Sequence, residues 1–397
     1  MKFRWALAPS QPLFAGQLAN ELRITPLLAQ CLLNRGLNEK TTIGSFLQPR
    51  LRQLADPFLL PNMTAAVERL FRARESQERL VIFGDYDVDG VTSTALLIEV
   101  LRGLGWTADY YLPHRMDEGY GLSQDGVENC LKKFPTTLLL AVDCGSTSVN
   151  AIAWLRERGV DVIVLDHHQV SDPPPDAIAL VNPRVAGGQC SVSRIRTTQG
   201  TDPTGSIPYS ETAGNASIHQ SINPSIQPFH ELCSVGLAFK LAHALVKRGR
   251  EAGLSGAAEF DLRPLLDLVA LGTIADLVPL TGENRILVSA GLERLNNTSR
   301  PGLVALKKVA QSPPSLGTYE VGFQLAPRLN AAGRLESAEA ALQLLLARDQ
   351  AVALPIAQNL DACNRERQAI ERSIAEEAIA AVRSKFKPET DFVIVEG

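Results

Sequence analysis

The chain has 397 residues, of which 45% are hydrophobic and 21% charged, and its formal net charge is −4. This composition is typical of a globular protein, and the length exceeds what one hydrophobic core usually spans, so we expect at least two domains. No apolar run reaches the roughly 20 residues that cross a bilayer. The scattered cysteines form no Cys-x-x-Cys pair, and together these features predict a cytoplasmic protein with no membrane role.

Two secondary-structure patterns follow each other along the chain. Residues 1–75 have helical periodicity, which predicts an N-terminal helical cap. Four short apolar segments then alternate with helical ones, at 80–83, 108–112, 138–142 and 160–165. This alternation is typical of βαβ units, so residues 76–300 are predicted to form an α/β domain with a parallel sheet and helices on both faces.

The rest of the chain departs from this rhythm. Residues 186–228 are rich in Ser, Thr, Gly and Pro, which predicts a disordered surface insertion, with a partner-binding loop as the alternative. Residues 301–390 are predicted to hold an active-site segment and a long linking helix at 351–385 that is broken only by Pro355. Residues 391–397 predict a buried strand with nothing after it to pack against, as at the start of a missing second lobe.

Acidic residues and histidines follow three of the predicted strands and end one helix. The segments are GDYDVDG at 84–90, AVDCGS at 141–146, LDHHQ at 165–169 and ALGTIAD at 270–276. Because ligands of an open parallel sheet bind outside the carboxyl ends of its strands, we expect these side chains to meet at one edge. An isolated Asp after a strand is often a helix cap, but so many carboxylates together require neutralising cations. The oxygen and imidazole donors predict two Mn²⁺ ions bridged by one carboxylate, with Mg²⁺ as the alternative.

This ordered set of motifs resembles the DHH phosphoesterase family. Two further segments, YLPHR at 111–115 with EGYGLS at 118–123 and APRLNAAGR at 326–334, resemble the RecJ-type single-strand exonucleases of that family. The resemblance covers residues 15–397 apart from the insertion. It implies a DHH catalytic domain that hydrolyses single-stranded DNA in the 5′→3′ direction by a two-metal mechanism, during DNA repair and recombination.

The resemblance also implies roles for individual residues. Five side chains would bind the cations: Asp87, Asp89, Asp143, His167 and Asp276. His168 would contact the scissile phosphate or protonate the leaving oxygen, Asp166 would fix a histidine tautomer, and Asp85 would bind metal or orient water. The DNA and its terminal phosphate would contact Arg115, Tyr120, Gly121, Ser123, Arg328, Asn330 and Arg334.

Two other interpretations remain open. Another DHH hydrolase, acting on short oligonucleotides or phosphoanhydrides, is opposed by Arg115 and the 118–123 segment. An inactive truncated remnant is favoured by the missing second lobe and opposed by the complete set of metal ligands. For the leading interpretation we expect single-stranded DNA as substrate, a single-strand-binding protein or a helicase as partner, and a monomeric chain.

Overall fold

The fold is centred on a parallel five-stranded sheet. A computed structural model describes residues 6–185, 229–335 and 337–385, so the predicted insertion at 186–228 and the terminal strand at 391–397 lie outside the described residues. The strands are β1 (Leu80–Gly84), β2 (Ala108–Tyr111), β3 (Leu138–Val142), β4 (Asp161–Leu165) and β5 (Ala179–Val181). Their order across the sheet is β2-β1-β3-β4-β5. All the strands are parallel, so their carboxyl ends lie along one edge.

Helices cover both faces of the sheet, as predicted. The connecting helices are α5 (Val88–Gly103), α6 (Arg115–Glu118), α7 (Gln124–Lys133) and α8 (Val149–Glu157). Alternate β1 side chains point to opposite faces, so Leu80 and Ile82 join the core that contains α5, whereas Val81 and Phe83 join the core that contains α7 and α8. The two layers of helices hold the sheet edge in a fixed frame.

Four helices precede the sheet: α1 (Pro12–Leu22), α2 (Pro26–Leu33), α3 (Lys40–Leu47) and α4 (Met63–Glu75). The first three surround a small core of their own, which includes Leu18, Leu32 and Ile43. Helix α4 instead contributes Leu70 to the main core. Helix α4 therefore packs on the sheet, and α3 contacts α11 (Gly282–Asn296) directly, because Arg285 lies over the Phe46 ring.

The C-terminal half of the described chain is helical. Its helices are α9 (Ser234–Glu251), α10 (Leu266–Ala275), α11 (Gly282–Asn296), α12 (Pro301–Val309), α13 (Thr318–Glu320), α14 (Ala326–Leu335), α15 (Glu339–Leu346) and α16 (Gln350–Lys385). The predicted break at Pro355 is wrong, because the 36-residue helix α16 continues through this residue. Pro355 is the sixth residue of the helix, so it removes only one early backbone hydrogen bond, and buried Ala353, Ala357 and Leu360 hold the surrounding turns. None of the helices among the described residues has the length and apolar character needed to cross a bilayer.

Candidate metal centre

Three acidic side chains come from the turn between β1 and α5. Asp87 caps α5, its Oδ1 accepting the Gly90 backbone N–H at 3.0 Å. The turn is tight, because a Cβ at Gly90 would lie 2.6 Å from the carbonyl oxygen of Asp85. Glycine at this position therefore allows Asp85, Asp87 and Asp89 to be presented within one turn of chain.

The second strand end supplies Asp143 in a strained conformation. Its φ of 64° is left-handed, which is uncommon outside glycine and clusters at functional sites. The Asp143 backbone N–H donates to the Leu165 carbonyl at 3.0 Å. Its side chain is buried, and Oδ1 accepts the Ser234 hydroxyl at 2.8 Å. The neighbouring strand and α9 together fix this carboxylate.

The N-terminus of α9 holds the carboxylates of Asp89 and Asp143 in place. The backbone N–H groups of Ser234 and Val235 donate to the two carboxylate oxygens of Asp89 at 2.7 and 2.8 Å. Helix N-termini favour anions through their free N–H groups and dipole. Ser234 thus contacts both Asp89 and Asp143, a role that the sequence analysis missed. The available signal was a serine at the start of a segment with helical apolar periodicity.

The third strand end is organised around Asp166. This buried carboxylate accepts His168 Nδ1 at 2.8 Å, the His167 backbone N–H at 2.8 Å and the Ser146 backbone N–H at 3.0 Å. Burial opposes ionisation, but these hydrogen bonds hold the pKa of Asp166 at about 2. The hydrogen bond between His168 Nδ1 and Asp166 also raises the pKa of His168. Asn182, after β5, donates to the Ser146 hydroxyl and to the His168 carbonyl, and was also missed.

His167 lies between three carboxylates. Its Nε2 is 3.8 Å from Asp89 Oδ2, 3.6 Å from Asp143 Oδ1 and 3.6 Å from Asp276 Oδ2. Burial lowers the pKa of His167 to about 4, so the ring is neutral and can act as a ligand. Neither His167 Nε2, nor Asp276 Oδ2, nor either carboxylate oxygen of Asp85 has a hydrogen-bond partner among the described residues. Buried polar atoms left in this state point to a bound cation.

The ligand atoms form three overlapping groups. In each group they lie within 4.8 Å of one another, and the groups are Asp143 with His167 and His168, Asp89 with His167 and Asp276, and Asp85 with Asp87 and Asp143. Asp143 and His167 each belong to two groups, and of the two only Asp143 has two donor oxygens with which to reach two cations. His168 and Asp85, which the sequence analysis placed in catalytic roles, are therefore also within reach of a cation.

Burial and mutual repulsion raise the pKa values of these carboxyl groups in the absence of a cation. Burial and the charge of Asp87 raise the pKa of Asp85 to about 7, and the same two causes raise the pKa of Asp276 to about 6. The pKa values of Asp89 and Asp143 are raised well above the usual range by burial and neighbouring carboxylates. A set of oxygen and imidazole donors with this excess of negative charge fits Mn²⁺ or Mg²⁺.

Three of the predicted DNA-contacting residues lie beside this cluster. The Arg115 guanidinium is 5.3 Å from the centre of the Tyr86 ring, and Tyr120 meets the same ring edge-on at 6.0 Å. Partial desolvation of its hydroxyl and the charge of Asp85 raise the pKa of Tyr120, which places this hydroxyl in the field of the cluster. Arg334 is exposed and acts electrostatically on Tyr86. Tyr86 therefore connects the exposed Arg115 and Tyr120 to the acidic turn.

The other four predicted contacts have structural partners. Asn330 Oδ1 accepts the Val88 backbone N–H at 3.0 Å, which supports the first turn of α5. The Arg328 guanidinium is engaged by Asp361 at 2.9 Å and by the Gln324 carbonyl at 2.6 Å.

The two remaining positions belong to the turn that precedes α7. Ser123 caps α7, since its hydroxyl oxygen accepts the Gly126 backbone N–H at 3.1 Å. Gly121 is buried with φ 69°, a conformation that favours glycine. Both residues shape the loop that carries Tyr120.

Comparison with known proteins gives a consistent result. The model of the DHH family, N-terminal domain, matches residues 79–205. The single-stranded-DNA-specific exonuclease RecJ of Bacillus subtilis is 36% identical over 394 residues, which are 99% of this chain and 44% of that protein. The protein of the same name from Haemophilus influenzae is 37% identical over 333 residues, 83% of this chain and 51% of its own length. The chain thus spans about half the length of these curated relatives.

Solved structures agree with these relatives. RecJ from Thermus thermophilus in complex with Mn²⁺ matches with a TM-score of 0.71 at 29% identity, over 96% of this chain and 48% of that one. A crystal structure of exonuclease RecJ bound to manganese matches with a TM-score of 0.64 at 33% identity, over 82% of this chain and 70% of that one. On this similarity of sequence and fold, the chain belongs to the RecJ family of DHH-domain proteins.

Proposed function

We propose that this chain hydrolyses phosphodiester bonds of single-stranded DNA from the 5′ end, with two divalent cations, Mn²⁺ in preference to Mg²⁺. The observation that carries the proposal is the convergence of buried carboxylates and a neutral imidazole, with unpartnered ligand atoms, at one sheet edge. The relatives, which are named single-stranded-DNA-specific exonucleases, support the substrate class.

Each side chain has a role in this chemistry. Cations bound here would make a water molecule more acidic and offset the charge of the phosphate. Asp143, the carboxylate that belongs to two ligand groups, would serve both cations, and the other ligands would be those predicted from the sequence. Asp166 holds His168 through Nδ1, so Nε2 is the nitrogen that serves the substrate, and the raised pKa of His168 suits proton donation to the leaving oxygen. Asp85, beside Asp87 and Asp143, would orient the attacking water and receive its proton.

The exposed residues beside the cluster define where the strand binds. Arg115 and Arg334 offer planar guanidinium groups to phosphate oxygens, and Tyr120 offers a ring for a base to stack on. We also propose that the chain divides into the domains predicted from the sequence, at residues 1–75, 76–300, 301–390 and 391–397. We further propose that it is a monomer in the cytoplasm and that its partner is a single-strand-binding protein or a helicase.

The test is a digestion assay with the purified chain and Mn²⁺. The substrates are a labelled single strand, the same sequence as duplex, a short oligomer and pyrophosphate, with Asp143→Asn as the inactive control. We expect mononucleotides from the single strand alone, and none from Asp143→Asn. Cutting restricted to the oligomer or pyrophosphate would support another DHH hydrolase, and no cutting of any substrate would support the inactive remnant.

Recognition of the 5′ end is tested through Arg115. If its guanidinium grips a terminal phosphate, Arg115→Ala should slow digestion of 5′-phosphorylated strands about ten- to a hundredfold more than that of 5′-hydroxyl strands. Arg372→Ala, at an exposed position on α16, is the matched control and should change neither rate. Equal losses on both substrates would show that Arg115 contributes only to general electrostatics.

A further inference from the structure

A cavity lies at the opposite end of α5 from the metal centre. Its volume is about 710 Å³, and its walls come from the last turns of α5, the start of α10, the connection between α11 and α12, and the residues after α15. Because a helix rises 1.5 Å per residue, Asp89 and Arg102 are roughly 20 Å apart along α5. None of the candidate metal ligands lines this cavity. The cavity is therefore separate from the proposed nuclease centre.

The floor of the cavity is a partly buried ion-pair network. Arg300 hydrogen-bonds the carboxylate of Glu99, Asp267 Oδ2 at 3.3 Å and the Leu345 carbonyl at 3.1 Å. Thr298 donates its hydroxyl to the same Asp267 oxygen at 2.8 Å. Among the described residues, Glu99 and Asp267 are the only acidic ones in the lining, and Arg300 already engages both.

Three further arginines, at positions 102, 294 and 348, line the same cavity from exposed positions. None of them makes an ion pair within the described part of the chain: Arg102 donates to the Ala108 carbonyl at 2.9 Å, and Arg294 acts on Asp261 only through its charge. The lining therefore has four arginines against two carboxylates. Planar guanidinium groups in excess are suited to phosphate oxygens.

The remaining lining adds donors and an apolar wall. Asn297 and Ser299 offer side-chain hydrogen-bond donors, and the positive end of the α12 dipole starts at Pro301. Pro264 and Leu346 supply apolar surface. The volume falls in the range of about 300–1,000 Å³ that small-molecule sites occupy.

We propose that this cavity binds a phosphorylated small molecule of mononucleotide size. The phosphate lies against Arg102, Arg294 and Arg348, and the uncharged part of the ligand lies against Pro264 and Leu346. The site is remote from the metal centre, so a mononucleotide can occupy it while a strand occupies the sheet edge.

The experiment is calorimetric titration of the whole chain in excess EDTA, which removes any cation-dependent phosphate binding. The probes are deoxyadenosine 5′-monophosphate, deoxyadenosine, inorganic phosphate and a single-stranded oligomer without a terminal phosphate. We expect one monophosphate per chain, weaker binding of inorganic phosphate and no binding of the nucleoside. The double variant Arg294→Gln/Arg348→Gln should weaken monophosphate binding at least about tenfold.

The matched control is Arg372→Gln, which removes an exposed arginine far along α16 and should bind as the wild type does. Asp143→Asn should also bind the monophosphate normally, because Asp143 is not in this cavity. The proposal is overturned if the wild type shows no saturable binding up to roughly 10 mM, or if the double variant keeps wild-type affinity. Arginine-dependent binding that favours the oligomer would overturn it too, because the cavity would then be part of a strand-binding surface.

Discussion

At the scale of single residues, the candidate centre depends on hydrogen bonds that hold carboxylates in place before any cation binds. Asp89 is held by two backbone N–H groups, and Asp143 by the hydroxyl of Ser234. Contacts of this kind orient metal ligands and tune their affinity. Ser234 contacts Asp89 and Asp143 and not the substrate, so it is a positioning residue.

Replacing Ser234 by Ala should weaken Mn²⁺ binding about 10- to 100-fold while the chain stays folded, because Asp143 loses a buried hydrogen-bond donor. Titration calorimetry measures the affinity, and a thermal melt in EDTA checks the fold. Ser93→Ala is the matched control, since Ser93 is equally buried and its hydroxyl has no partner among the described residues. Equal Mn²⁺ affinity in Ser234→Ala and Ser93→Ala would remove the positioning role.

At the scale of elements, the centre exists because three helix ends approach one sheet edge closely. Gly272 on α10 makes the approach possible, because a Cβ there would lie 2.3 Å from Thr92 Oγ1, 2.8 Å from Val235 Cγ1 and 3.2 Å from Asp89 Oδ1. The glycine thus brings α10, and Asp276 at its end, against α5 and α9.

Gly272→Ala should lower the free energy of unfolding by about 1–3 kcal/mol and weaken cation binding, because the three helices must move apart. Gly16→Ala on α1 has open space around its Cβ and should instead stabilise by about 0.4–1 kcal/mol. Urea melts of both variants measure the difference. An unchanged free energy of unfolding in Gly272→Ala would mean that the helices move apart without loss of stability.

The predictable elements were those with strong local patterns. The apolar runs of β1 and β3 are fully buried, β4 is buried except at Asp161, and β2 is partly buried, and the type of all four could be assigned from sequence. Strand β5 was missed because it has only three residues, too few for a periodic signal. The partners of Ser234 and Arg328 could not be predicted, because Asp143 and Asp361 lie 91 and 33 residues away and no local pattern encodes such contacts.

At the scale of the whole molecule, the acidic edge makes the stability of the chain depend on pH and on cations. Asp85 and Asp276, with pKa values of about 7 and 6, and Asp89 and Asp143, with raised pKa values, bind protons more readily folded than unfolded. Folding without cations therefore takes up protons, and the stability these groups contribute falls as pH rises toward and past 7. His167, with a pKa of about 4, acts in the opposite direction as pH falls below about 6.5.

We expect the cation-free chain to be about 1–3 kcal/mol less stable at about pH 8 than at about pH 6, since four raised carboxyls outweigh one histidine in that interval. Adding Mn²⁺ should raise the melting temperature more at pH 8, where the ligands are deprotonated. Asp85→Asn should flatten the cation-free profile. Thermal melts at both pH values, with Mn²⁺ or EDTA, provide the measurement, and a cation-free chain that is more stable at pH 8 would contradict the electrostatic account.

The most direct test of the two-cation centre is the number of Mn²⁺ ions bound per chain, measured by titration calorimetry on EDTA-treated protein. We expect two ions for the wild type and loss of both high-affinity sites in Asp143→Asn, because this carboxylate belongs to two ligand groups. Asparagine tolerates the left-handed backbone at this position, so the variant changes the charge and not the turn. Binding of no more than one ion by the wild type, or of two by Asp143→Asn, would contradict the account.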